Sequence, residues 1–158
     1  MKTKGILYIA LVLLCFSCSE KNSWEITDIE DYTRTGLNSF YTSNQGLSDT
    51  KFDKVFYLIM RDCACVEENA DFLIENIDKL SDDYLLIIRN PQGNDAWGRL
   101  KAVLDQEQVN YVVDEDLGLM EEHGIIFAED KVVRFSGDEV ASLTTFNDQI
   151  YSGLLKSL

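Results

Sequence analysis

The sequence predicts an α/β fold: a mixed β-sheet, parallel in a βαβ unit and antiparallel in a later hairpin, with helices on both faces. Three observations predict it. Two apolar runs, 54–60 (KVFYLIM) and 84–89 (YLLIIR), read as central strands covered on both sides. Between them Val66, Ala70, Ile74, Ile77 and Leu80 recur at helical spacing among Glu67, Glu68, Asp71, Glu75 and Asp78, the pattern of an amphipathic helix. Strand, helix and strand then form a right-handed crossover with parallel strands. The segments 125–128 and 131–135, on either side of Glu129 and Asp130, supply the antiparallel pair.

The chain begins outside this fold. Lys2 and Lys4 precede the uncharged stretch 5–16, then Ser17 and Cys18 follow, the layout of a secretory leader. Its twelve residues fall short of the roughly 20 that a membrane span needs. The segment resembles a bacterial lipoprotein signal, which implies that Cys18 becomes the lipidated first residue of the mature chain. Ser17 suits the position before it, and Cys15 stands where leucine is usual. Ser19 is not the aspartate that marks inner-membrane retention, so the resemblance implies an anchor in the outer membrane, facing the periplasm. The expected division is 1–17 signal peptide, 18–50 lipidated cysteine, tether and first helix, and 51–158 folded domain.

Charge narrows the partners. The leader holds two of the 14 basic residues and none of the 28 acidic ones, so the mature chain carries 12 basic residues against 28 acidic, a net −16. Such a field repels phosphate backbones and anionic lipid, which excludes nucleic acid and electrostatic docking on a membrane. The membrane partner is therefore reached through the lipid on Cys18, and one acyl chain binds only marginally, so several are needed. The 141 residues after the leader suit one domain.

Along the chain, Thr27 followed by Glu30 resembles a capping box, and Ile26, Ile29, Leu37 and Phe40 suggest a first helix over 28–41. The turn-rich stretch 44–53 leads into the first strand. After the second strand, 90–94 with the only proline, Pro91, is a loop. Trp97, Leu100, Val103 and Leu104 mark another helix, and 109–113 a third strand. An acidic turn and short helix over 114–124, bearing Leu117 and Met120, end at Gly124. The expected hairpin follows, then 136–138 as entry to a closing helix through Leu143, Phe146, Ile150 and Leu154.

Once the leader (Cys15) and the anchor (Cys18) are set aside, Cys63 and Cys65 are the remaining thiols, on a turn between a buried strand and a helix N-terminus. That order of strand, cysteine turn (DCACV), helix and strand, with a later hairpin and last helix, resembles the thioredoxin-like fold. DEDLGLMEEHG before the hairpin is similar to the acidic turn and short helix of its peroxiredoxin and thiol-reductase branch. The resemblance covers about residues 50–158, with 95–113 as an insertion. Two positions differ from the family: CxC stands in place of CxxC, and Gly124 runs into Ile125 without the cis-proline that the family packs against its cysteines. The resemblance implies thiol–disulfide exchange with a protein thiol or disulfide as substrate, Cys63 attacking and Cys65 resolving, or the reverse. No cofactor is implied.

The residues bear on this chemistry directly. Free N–H groups and the macrodipole at a helix N-terminus stabilise a thiolate, while Asp62, Glu67 and Glu68 against Arg61 oppose it, so modest activation is expected. Cysteines two apart in a strand lie about 6.6 Å apart, and on a helix they point to opposite sides. A Cys63–Cys65 bond therefore needs a bent turn and is expected to be labile. The same thiols also fit an inactive domain of this fold. They fit a soft-metal site with Met60 as well, for Cu(I) or zinc, since MRDCACV is similar to the MxCxxC loop of heavy-metal-associated domains. A non-catalytic interaction lipoprotein is the third alternative. His123, the only histidine, reads as a cation at a helix C-terminus. Asp114, Glu115 and Asp116 read as a solvated turn rather than a calcium loop. Trp24 and Trp97 are candidate partner contacts, and Trp97, at helical spacing, reads rather as core.

Overall fold

The computed structural model describes residues 26, 28–47, 51–61, 64–79, 84–91, 93–115 and 118–146. Five strands form one sheet: β1 (Lys54–Ile59), β2 (Tyr84–Arg89), β3 (Tyr111–Asp114), β4 (Lys131–Ser136) and β5 (Glu139–Thr145), in the order β3-β2-β1-β4-β5. The pairs β1·β2 and β2·β3 are parallel, and β1·β4 and β4·β5 antiparallel, which is the expected mixed α/β sheet. Val55 lies opposite both Leu85 and Val133, so β1 is central and its near-uniform apolar sequence is buried on both sides.

Alternation along β1 assigns the layers. Val55, Tyr57 and Ile59 face one core, with Leu85, Ile87, Val133 and Phe135, and α1 (Asp31–Asn44) covers it through Leu37, Phe40 and Tyr41. Tyr41 stacks on Phe135 with ring centroids 4.3 Å apart. Phe56 and Leu58 face the second core, with Leu86, Ile88 and Val132. There α2 (Ala64–Glu75) contributes Val66, Ala70 and Leu73, and α3 (Asp95–Glu107) contributes Ala96, Leu100 and Leu104. α3 is capped by Asn94, whose side chain accepts from the Trp97 N–H at 3.1 Å. An Arg99–Asp71 pair at 3.1 Å ties α3 to α2.

Several expected boundaries are corrected. α1 starts at Asp31 with Glu30 itself at the cap position and no side-chain cap bond, so Glu30 cannot serve as the inner member of a capping box; Thr27 lies outside the described residues. α2 ends at Glu75, and Ile77 falls in a 3₁₀ turn (Ile77–Lys79), with Leu80 outside the described residues. The short helix before Gly124 is a 3₁₀ turn, Glu121–His123, and Gly124 at φ +76° ends it as expected. Leu117 is outside the described residues.

The hairpin lies further along the chain than the sequence suggested. Residues 125–127 are not a strand. The hairpin is β4–β5, closed by Gly137 and Asp138 between Ser136 and its partner Glu139, with Gly137 at φ +65°. Leu143, expected on the closing helix, is in β5; residues 147–158, with Ile150 and Leu154, lie outside the described residues. Leu143 and Phe146 mimic a helical period, whereas Ser142 and Thr144, buried on the face opposite Leu143, carry no hydrophobic signal. Among the described residues no helix is long and apolar enough to cross a membrane.

Candidate functional site at the start of α2

β1 ends at Ile59 and α2 begins at Ala64, so the cysteine segment occupies the carboxyl end of a central parallel strand, where α/β sheets hold their ligands. Cys65 is the second residue of α2, among the first four whose N–H groups lack intrahelical partners. Its side chain, like Cys63 and Asp62, lies outside the described residues, as does Cys18. Their surroundings are described. Met60 is buried in the second core, and its N–H donates to the carbonyl of Arg89 at 2.9 Å. Met60 is thus a core methionine at the end of β1. Among the described residues no cluster of three His, Cys, Asp or Glu side chains could hold a metal ion.

The new feature of the site is Asp130. It precedes β4, so the loop just before the hairpin is 128–130, not the junction of Gly124 and Ile125 where the sequence placed it. This corrects the expected position at which proline is missing. In-register pairing of β1 with β4 stops at Tyr57 opposite Lys131. Beyond it the Ile59 N–H donates to Asp130 Oδ1 at 2.8 Å, so a carboxylate replaces the next main-chain acceptor. The Asn69 amide, on α2, donates to Asp130 Oδ2. Asn69 is 7% exposed. Burial pushes the Asp130 carboxyl above the usual carboxylate range, against the opposing pull of the Ile59 N–H, the Asn69 amide and the Arg61 guanidinium.

A helix repeats its face every four residues, so position 65 lies one turn toward the N-terminus from Asn69 on the same side of α2. The half-buried acid is thus joined to the helix face that carries a cysteine position. Arg61 fixes the loop from the other side, its guanidinium donating to the carbonyl of Ala128. Phe146 N–H donates to the Asp130 carbonyl at 2.9 Å. A cleft of about 490 Å³ opens here, with Ile59, Val66 and Phe146 as apolar wall and Asn69, Glu129 and Asp130 as polar wall.

The other singled-out residues are structural. His123 Nδ1 lies 2.9 Å from Ser39 Oγ, and Nε2 lies 3.2 Å from the Asn44 amide nitrogen, while its ring meets Phe40 edge-on. The ring bridges two side chains of α1 and so latches the 3₁₀ turn to that helix. Asp114 Oδ1 is 3.5 Å from Arg89, and its Oδ2 accepts from the Leu119 N–H at 3.0 Å. Arg89 also pairs with Glu121 at 3.1 Å. Asp114 is therefore a buried loop clasp and not a solvated turn; Glu115 is exposed, and Asp116 lies outside the described residues. Trp97 packs edge-on against Tyr111 at 5.7 Å, in the core as expected; Trp24 lies outside the described residues.

Sequence reasoning missed Asp130 and Asn69. Asp130 beside Glu129 between apolar runs reads as a turn, and Asn69 is one polar residue among many on an acidic helix. The available signal was spacing: an uncharged amide four residues after Cys65, on the side of the helix next to Val66, Ala70 and Leu73. Comparison with known proteins returns no match: no family model, no curated protein and no solved structure corresponds to this chain.

Proposed function

We propose that this chain is a lipid-anchored, periplasmic thioredoxin-like protein that carries out thiol–disulfide exchange through Cys63 and Cys65, with Asp130 as the group that takes and returns the proton. The observation that carries the reading is Asp130 itself: a half-buried carboxyl of raised pKa, hydrogen-bonded to α2 one turn from position 65. A carboxylate whose pKa is raised by burial is a stronger base than an ordinary one, which favours it as the group that takes a thiol proton. The anchor is Cys18, and a Cys18→Ala variant is expected to leave the membrane fraction.

The exchange balances as follows. One cysteine thiol gives its proton to the Asp130 carboxylate, and its sulfur attacks one sulfur of a substrate disulfide. The substrate S–S bond breaks, a mixed disulfide forms, and the leaving thiolate takes the proton from Asp130. The second cysteine then attacks the mixed disulfide, releasing the other substrate thiol and leaving a Cys63–Cys65 bond. Two electrons have passed to the substrate. Cysteines two apart in sequence can join only across a bent turn, so the bond is expected to be strained and oxidising.

The test is a glutathione titration of the full-length chain with mass-resolved alkylation of each cysteine. A two-electron transition at or above roughly −230 mV is expected, in the range of exchange catalysts. In Asp130→Asn the pH midpoint for alkylation of the attacking cysteine is expected to move relative to the parent, because the thiolate then forms without the carboxylate beside it. If no intramolecular disulfide forms at any poise while the chain stays folded, the dithiol mechanism is wrong.

A further inference from the structure

Two clefts flank Arg61 at the start of α2. The first, of about 490 Å³, sets the apolar wall of Ile59, Val66 and Phe146 against Glu129 and Asp130. The second, of about 450 Å³, lies toward the start of α3 and is lined by Glu67, Asn94 and Asp95. Glu67, Asp95 and Glu129 are exposed. Among the described residues lining the two clefts, four are carboxylates and one, Arg61, is a cation, its guanidinium given to the Ala128 carbonyl. Any segment laid across the start of α2 meets an apolar recess with acid at its rim on one side and acid again on the other.

We propose that the exchange site serves cationic polypeptides: the substrate sets an aliphatic side chain into the first cleft and a Lys or Arg into the second, with its disulfide between them. This rests on the exchange reading above. A recess of this volume is the size that holds a side chain and its flanking backbone. The apolar wall supplies affinity, and the carboxylates reject anionic segments while steering cationic ones, an effect that the net charge of −14 extends beyond contact. The choice also suits the chemistry. Carboxylates around the site oppose thiolate formation on the enzyme, whereas cations beside the substrate disulfide lower the pKa of the departing thiol and speed its release.

Docking and exchange are separated by using two forms of the full-length chain. The Cys63→Ser, Cys65→Ser variant is titrated against fluorescent Lys-Leu-Ser-Lys, Lys-Gly-Ser-Lys and Glu-Leu-Ser-Glu peptides by anisotropy. At low salt the first is expected to bind at least about tenfold tighter than either of the others, with the charge preference shrinking at high salt. Adding Glu67→Lys and Glu129→Lys, both exposed, is expected to abolish the preference for lysine and keep that for leucine. Equal binding of the three peptides, or a lysine preference indifferent to the charge reversal, overturns the proposal. The parent chain is then given the cysteine counterparts as mixed disulfides with glutathione. Failure to exchange with any of them, while the serine variant still discriminates, overturns the exchange reading and leaves the docking surface standing.

Discussion

Gly36→Ala tests the docking of α1 on the loop beside the site, because two opposing effects of known size meet there. In a helix interior alanine is favoured over glycine by about 1 kcal/mol. A Cβ at position 36, however, would lie 2.4 Å from Ile125 Cδ1, 2.8 Å from Ile125 Cγ1 and 2.6 Å from the His123 carbonyl oxygen. Ile125 can change rotamer, but the oxygen belongs to the backbone and can yield only if residues 123–125 move away from α1. Their retreat is opposed by Tyr32, whose hydroxyl donates to the Gly124 carbonyl, and by Ser39 and Asn44, which hold the two nitrogens of His123. Overpacking of this kind costs about 1–3 kcal/mol, and a backbone contact belongs at the upper end. The clash wins by about 1–2 kcal/mol, which for a domain of this size lowers Tm by roughly 4–8 °C. Urea unfolding of parent and variant measures it, and adding Ile125→Val is expected to recover only part, since the carbonyl contact stays. A variant more stable by about 1 kcal/mol, the propensity gain alone, would refute the close approach of α1 to this loop.

The other predictions concern buried charge. Arg89→Met leaves Asp114, 5% exposed, without its cation and is expected to cost about 3 kcal/mol or more, most of it regained when Asp114→Asn is added; urea midpoints of the four chains decide. Tyr57, pushed up to about 12 chiefly by burial, is expected to ionise well above the ordinary tyrosine value of about 10 in an alkaline titration of tyrosinate absorbance, and Tyr57→Phe to remove one tyrosine's amplitude from that late phase. For Asp130 the folded pKa is raised, so folding favours its protonated form; that advantage is complete below the ordinary aspartate value of about 4 and is lost as pH rises through the raised value. The stability of Asp130→Asn relative to the parent is therefore expected to improve as pH climbs through that window, and a difference flat with pH would refute the shift.

Strand β1, helix α2 and strand β2 were legible because their sequence patterns agree with their burial. Six-residue apolar runs suit a sheet covered on both faces, and Val66 and Ala70 point one way at helical spacing, although the next buried position is Leu73 rather than the expected Ile74. β4 was legible as a strand, but its partner was not. β5 buries Ser142 and Thr144 beside Val140 and Leu143, and in a protected ladder small polar residues fill inward positions without adding hydrophobicity. Misplacing the hairpin by one element moved the loop before β4 as well. That error hid Asp130, whose role depends on two residues far away in sequence, Ile59 and Asn69. Spacing along one segment carries no information about such a convergence.

Asp130 also accounts for how the loop before β4 is held without proline. Its carboxylate takes the Ile59 N–H that β4 would otherwise have bonded, its second oxygen takes the Asn69 amide, and its carbonyl takes the Phe146 N–H. One side chain thus ties the loop before β4 to the end of β1 and to α2, and its main chain ties the same loop to the end of β5. Unlike a backbone clasp, a carboxylate can be protonated: one oxygen then becomes a donor and accepts more weakly, so the hold on either the Ile59 N–H or the Asn69 amide slackens. Under the exchange proposed above, a thiol proton passed to Asp130 would slacken the same contacts, which links the proposed proton transfer to the packing of α2 on the loop.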